Sequence, residues 1–245
     1  MTGKNSCSKV VKVGDLSEHD RESMFQILGE HFSGLSRVVF NKDLDEKDWV
    51  VVVCDANDQI EGFSTLKLLT QEFEGERIHA FFSGDTVLSK RFSGDPTWIP
   101  VWGDHVFAEA ESLMPEKSYW LLLTATHRTY RILPTCFNEY IPNAHKPSDP
   151  RLKKIMDNFV RQKFPDEYDE ESGLVVLKKS IPYKQFDDAK AQYGDHHFYT
   201  DYFKKLNPMF MRGDFLCCLT EVRPDNLNRA GVRVVYGIRP VVGIS

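Results

Sequence analysis

Long apolar runs are what this 245-residue chain most plainly lacks. None approaches the 18 residues or so that a membrane-crossing helix requires, and the opening stretch MTGKNSCSKVVKVGD carries no apolar segment like a signal sequence. These absences predict a cytoplasmic protein without a membrane span. Cysteine is sparse. Cys7, Cys54, Cys136, Cys217 and Cys218 form an odd set with no CxxC, which is neither a disulfide framework nor a zinc-finger spacing. Cys217 and Cys218 are neighbours, so on a strand they would point to opposite faces, which is poor metal geometry. Small buried thiols and no metal are therefore expected. Positive charge is not in excess: 31 Lys and Arg stand against 36 Asp and Glu, for a formal charge of −5. That argues against a general nucleic-acid binder, although a local basic patch can still hold phosphate. There is no repeat, no low-complexity tract and no G-x-S-x-G elbow, and Cys136 has no activating neighbour in sequence, which argues against a covalent cysteine mechanism.

What is present is a succession of strand-like and helix-like segments centred on residues 77–138. LSEHDRESMFQILGEHF has a Ser17 cap and an apolar stripe of Met24, Phe25, Ile27, Leu28 and Phe32 at helical spacing. SRVVFNKDLDEKD is a second, short helical piece. WVVVVCDANDQIEGFSTLKLL reads as a hairpin, with Asp-Ala-Asn-Asp at the turn. A Gly-centred turn then leads into RIHAFF, which runs into a polar loop where Ser-Gly-Asp-Thr is good turn chemistry. IPVWGDHVFAEAESLM is a helix, YWLLLTA a buried strand, and HRTYRILPTCFNEYI a helix with Pro134 as a kink or break. Past a Pro-rich linker near 143–150, an amphipathic helix carries Leu152, Ile155, Met156, Phe159 and Val160 on one side. A short strand SGLVVLKK, an aromatic helix HHFYTDYFKKL, the strand GDFLCCLTEV, and a last helical turn with a strand over PDNLNRAGVRVV follow. This alternation predicts an α+β, three-layer fold in which sites open at the carboxyl ends of the strands. Residues 1–143 form one expected core; 144–245 either complete its sheet or form a second unit.

The order helix, helix, hairpin, strand, helix, strand, helix resembles the GNAT superfamily of acyl-CoA-dependent N-acyltransferases. The resemblance implies a mixed, mostly antiparallel central sheet with flanking helices, here with a C-terminal extension. In that family the fourth strand leads through a pyrophosphate-binding loop, Arg or Gln, two residues, Gly, one residue, Gly or Ala, into a helix. Arg91-Phe92-Ser93-Gly94-Asp95-Pro96 fits the first two positions and departs at the third, where Pro96 has no N–H to offer a phosphate. FFSGDTV at 81–87 and NPMFMRGDFLCCL at 207–219 are similar to segments of a divergent GNAT-like group that attaches fatty acyl chains to Lys or Ornithine side chains of ribosomally made peptides. The implied donor is an acyl-CoA or an acyl-carrier-protein phosphopantetheine thioester. The implied acceptor is a peptide or small-molecule amine, acylated by direct attack in a ternary complex.

Basic residues collect after the two central strands: Lys90 and Arg91, with Gly94, after the first, and His127, Arg128 and Arg131 after the second. Such residues beside helix N-termini suit phosphates; a solvated basic face is the plainer reading of each. Acyl transfer to an amine needs a base, a donor for the carbonyl oxygen and often an acid for the thiolate. His79 and Asp85 stand at the two ends of one strand: His79 has the better intrinsic pKa for a base near neutrality, whereas Asp85 would need burial for that role and as an anion could hold the incoming ammonium without any shift. An ordinary strand histidine and a turn carboxylate are their alternative roles. Tyr130, with Tyr140 behind it, lies where the family often places the acid, and His105 is a weaker cleft candidate. Asp195, His196, His197 and Asp201 are a poor metal set, because adjacent helical histidines point about 100° apart. Phe81, Phe82, Trp98, Trp102, Phe107, Tyr119 and Trp120 make either a core or a tunnel for an acyl chain, in which each buried CH₂ contributes about 0.8 kcal/mol.

Overall fold

Alternate residues of the run WVVVVC enter different cores, and the same division runs across the whole sheet. In the computed structural model, which describes residues 6–177 and 196–237, Val51 and Val53 face one cluster while Val50, Val52 and Cys54 face another. The strands are β1 (Cys7–Lys12), β2 (Trp49–Cys54), β3 (Ile60–Phe73), β4 (Glu76–Leu88), β5 (Lys117–Thr124), β6 (Tyr168–Asp169), β7 (Leu174–Val175) and β8 (Phe215–Glu221). They form one eight-stranded sheet in the order β1-β2-β3-β4-β5-β8-β7-β6. Every neighbouring pair is antiparallel except β4 and β5, which run parallel. The strands that follow residue 143 thus continue the sheet begun by the first half.

Helices cover both faces, giving the expected three layers. On one face lie α3 (Trp98–Ser112), α4 (His127–Tyr130), α5 (Ile132–Cys136), α7 (His196–Leu206) and α8 (Arg229–Tyr236), packed around Phe81, Trp102, Trp120, Tyr130 and Phe203. On the other lie α1 (Glu18–His31), α2 (Arg37–Asp45) and α6 (Pro150–Lys163), with α6 contributing Ile155, Met156, Phe159 and Val160 and α1 contributing Met24, Ile27 and Leu28. Ser17 caps α1 in a reciprocal box with Asp20, as its sequence predicts. Cys217 and Cys218 enter opposite clusters. No helix of the described residues is long and apolar enough to cross a membrane. The mixed, mostly antiparallel central sheet with helices on both faces is the GNAT-like arrangement that the resemblance implies.

Four expectations need correction. β1 was not anticipated; Lys9 and Lys12 interrupt its apolar pattern, and it is held by pairing with β2. Ser-Gly-Asp-Thr is not a loop but part of β4, which continues to Leu88 because Thr86, Val87 and Leu88 keep their pairing with β3. The helix after β5 breaks at Arg131, not at Pro134; the missing Pro134 N–H would have bonded the carbonyl of Tyr130, so the ladder fails there. The segment GVRVV is not a strand but part of α8, started by Asn228, whose Oδ1 accepts from the N–H groups of Ala230 and Gly231 at 2.9 Å each. Asp195 of the weak metal set lies outside the described residues.

Helix α8 docks through Gly231, where an added Cβ would stand 2.1 Å from the carbonyl oxygen of Cys136. Because backbone is on both sides, Gly231→Ala is expected to cost about 1–3 kcal/mol, read as a lowered urea midpoint at unchanged m-value.

Candidate active site

The parallel pairing of β4 with β5 ends at Ser83 opposite Leu122. Beyond that rung β4 keeps only its β3 partner and β5 only its β8 partner, so the two strands part towards their carboxyl ends. At the rung itself the indole of Trp120 donates to Ser83 Oγ (2.8 Å), and Trp102 packs on Trp120 with ring centroids 4.5 Å apart. The buried Trp102 Nε1–H has no hydrogen-bond acceptor among the described residues.

Just past the rung β4 bulges. Ser83 pairs with Leu66 and Thr86 with Ser64, so Gly84 and Asp85 together oppose Thr65. Gly84 is required by contact: a Cβ there would lie 2.5 Å from Thr65 Oγ1 and 3.0 Å from Lys47 Cε. Lys47 follows α2, its side chain 1% exposed, with Nζ 2.7 Å from Asp43 Oδ2 and 5.7 Å from the Phe82 ring centre. Burial, aided by the neighbouring Asp43 carboxylate and opposed by the Lys47 ammonium, pushes the Asp85 carboxyl up to about 6. The Asp43 carboxylate pairs with the one buried ammonium, and Thr65 Oγ1, opposite the bulge, has no partner among the described residues. Lys47, Asp43 and Thr65 were missed from sequence; the signal available was an Asp and Lys four apart at the end of a helix.

The other sequence candidates are dispersed. His79 is buried six residues before Asp85, about 20 Å along the strand, so the two cannot share a site. Its Nδ1 meets Thr70 Oγ1 at 2.9 Å and its Nε2 meets Glu116. Tyr130 is fully buried and its hydroxyl donates to the Pro142 carbonyl at 3.0 Å; burial raises it far above the ordinary phenol range. Tyr140 is likewise raised by burial. His105 packs edge-on against Trp49 at 4.9 Å and is lowered by burial. Burial pushes the thiols of Cys54 and Cys136 up to about 12 and about 11, so neither is a nucleophile at neutral pH.

The loop after β4 is largely occupied by its own contacts. Arg91 is paired with Asp55 at 3.0 Å and with Glu61. The N–H of Lys90 goes to the Glu30 carboxylate at 2.7 Å, those of Phe92, Ser93 and Asp95 close turns, and that of Thr97 goes to Asp95 Oδ1 at 2.9 Å. Gly94 supplies the left-handed turn, φ 80°. After β5, His127 is buried against Phe203 (6.5 Å) and Arg128 is exposed. Arg131 is half-buried with no carboxylate partner among the described residues, and burial together with Arg128 lowers it.

The second similar segment closes a loop. Asn207, fully buried, donates from Nδ2 to the Asp214 carbonyl at 2.7 Å, and Gly213 between them has φ 98°. The large aromatics pack as core; of them only Tyr119 lines either of two surface cavities, of about 360 and 90 Å³.

No protein-family model matches the sequence, and no curated protein matches it. Solved structures do. A conserved protein of Enterococcus faecalis V583, described as a probable N-acyltransferase, is 14% identical over 55% of this chain and 33% of its own, with a TM-score of 0.41; the match thus spans about a third of that protein. The GNAT family N-acetyltransferase YhbS of Escherichia coli, solved with CoA, is 12% identical over 54% of this chain and 69% of its own, TM-score 0.39. A GCN5-related N-acetyltransferase of Kribbella flavida is 9% identical over 92% of this chain and 68% of its own, TM-score 0.41.

Because the Asp85 carboxyl is raised above its unfolded value of about 3.9, its ionisation costs stability as pH rises through about 6. Asp85→Asn should therefore melt higher than the parent above pH 6, by about 2–6 °C, with the difference vanishing below pH 4 in paired thermal scans.

Proposed function

We propose that the protein is an N-acyltransferase that moves an acyl group from a thioester to a primary amine. The observation that carries this reading is the placement of Asp85: a carboxyl raised to about 6, set in the β4 bulge immediately beyond the last β4–β5 rung. The reading makes the parted strands the seat of the donor. There the β4 edge facing β5 is released from sheet pairing, so its N–H groups are available to the pantetheine amides and to the oxygen of the thioester carbonyl, where negative charge develops. The unpaired Trp102 indole N–H is a further donor beside the same rung. Arg131 takes the phosphates of CoA or of a carrier-protein arm.

Asp43 and Asp85 about one Lys47 leave a net negative site that draws in an ammonium. As a carboxylate, Asp85 accepts the ammonium proton, and the freed amine attacks the thioester carbon. The tetrahedral intermediate collapses by breaking the C–S bond. With a pKa of about 8.5 for a thiol, the sulfur can leave as thiolate and then takes the second proton from the attacking nitrogen, which leaves a neutral amide and a free thiol; Tyr130, whose proton is committed to Pro142, has no part in this scheme. His79 is assigned a structural role. The likeness of 81–87 and 207–219 to peptide-modifying enzymes supports a Lys or Ornithine side chain as acceptor and a medium or long fatty acyl group as cargo. A binding protein of the same shape is the second reading, favoured by the occupied amides of the loop at 89–97.

Steady-state release of free thiol from acyl-CoAs, acetyl to palmitoyl, is to be followed with Lys- and Ornithine-containing peptides. Asp85→Asn should lower kcat/KM by about 10²–10⁴-fold and abolish a pH limb that rises through about 6 in the parent. Arg131→Ala should raise KM for CoA donors by about 10-fold or more with kcat little changed. Donor binding without turnover for any amine, and with Asp85→Asn unaltered, would establish the second reading.

A further inference from the structure

The antiparallel register of β1 on β2 sets Cys7 directly opposite Cys54. Opposed residues of such a pair project from the same face, and the two sulfurs and an Asp58 carboxylate oxygen all lie within 4.8 Å of one another. Cys54 is buried whereas Cys7 and Asp58 are exposed, so the group sits at the surface with one foot in the core. Asp58 comes from the β2–β3 turn, where its backbone takes a positive φ of 59°. A shallow cavity of about 360 Å³ lined by Ser6, Cys7, Asp55, Ala56 and Asp58 opens beside it.

We propose that Cys7, Cys54 and Asp58 form a binding site for a soft divalent cation of the zinc class. Two thiolates and a carboxylate are the ligand chemistry such an ion selects. On a tetrahedral zinc two sulfurs stand about 3.8 Å apart, from Zn–S bonds of about 2.3 Å, so the trio needs to close by about 1 Å at most. The charges also balance. Lys9 is bonded to Asp58 at 3.0 and 3.3 Å; two thiolates, one carboxylate and this ammonium sum to −2, which one divalent cation neutralises. On binding, each thiol loses its proton to solvent and forms a metal–sulfur bond, with no change of oxidation state. Asp58 gives one oxygen to the ion and keeps the other for Lys9, an arrangement that orients the ligand. The cavity supplies room for a water as fourth ligand.

The site stands near the loop after β4. Ser6 donates to Asp95 Oδ2 at 2.8 Å, Ser8 donates to Thr97 Oγ1 at 3.2 Å, and Asp55 holds Arg91 at 3.0 Å. An ion that clamps β1 to the β2–β3 turn would therefore brace the segment leading into α3. This departs from the expectation of a metal-free chain, and it depends on none of the residues assigned to acyl transfer.

The test is titration of the full chain, kept reduced by a phosphine, with cobalt(II) as the probe. One equivalent should generate a near-ultraviolet sulfur-to-cobalt band, which zinc then displaces. The band should vanish in Cys7→Ser, an exposed position whose fold is checked by circular dichroism, and in Cys54→Ser. Asp58→Asn should weaken cobalt affinity by about 10-fold or more, while Cys217→Ser should leave it unchanged. Absence of a sulfur-to-cobalt band at one equivalent, or its persistence in folded Cys7→Ser, overturns the proposal. So does isolation of the unreduced chain as a Cys7–Cys54 disulfide that, once reduced, binds no cobalt.

Discussion

The rung between Ser83 and Leu122 decides where β4 and β5 part, and the rest of the site is placed relative to it. A parallel pair inside an otherwise antiparallel sheet needs a crossover, and α3 supplies it on the face that holds Trp102 and Trp120. The hydrogen bond from the Trp120 indole to Ser83 fixes the rung at 2.8 Å. Two residues later the bulge turns Asp85 towards the Asp43–Lys47 pair. A one-residue slip in this register would exchange the faces to which these side chains project.

The buried ammonium beside the bulge is compensated from α2. Lys47 is almost completely removed from water, and a buried ammonium without a carboxylate would be strongly destabilising. Asp43 meets that need from the helix, with an oxygen 2.7 Å from the Lys47 Nζ, and Gly84 provides the space in which the aliphatic stem of Lys47 lies against β4. Ser83, Gly84, Asp85 and Thr86 therefore each have a separate physical reason for their identity: a hydrogen bond to Trp120, a close approach, a carboxyl in the bulge, and a 2.8 Å bond to Ser64.

Much of the architecture was legible where periodicity was strong. The α1 stripe and its Ser17 cap, the β2–β3 hairpin, the buried β5 and the amphipathic α6 all follow from local pattern. What local pattern could not carry was register. Ser-Gly-Asp-Thr has turn chemistry, yet pairing with β3 keeps it in a strand. His79 has a base's intrinsic pKa, yet Thr70 and Glu116 engage both of its ring nitrogens. Cys7 and Cys54, separated by 47 positions, become neighbours only through β1, whose lysines conceal the strand. Arg91 fits a phosphate motif, yet Asp55 and Glu61 reach it from the β2–β3 hairpin.

The two margins of the sheet have a consequence for how the protein behaves in a crowded solution. Among the described residues one margin is β1, which carries the exposed Lys9 and Lys12, and the other is β6, only two residues long. Charged side chains along one border and extreme brevity at the other deny a second molecule a long, flat ladder on which to add its own strand. A sheet with so apolar a centre is thereby protected from edge-to-edge aggregation, even though its interior strands, WVVVVC and YWLLLT, are of the composition that forms fibrils when exposed.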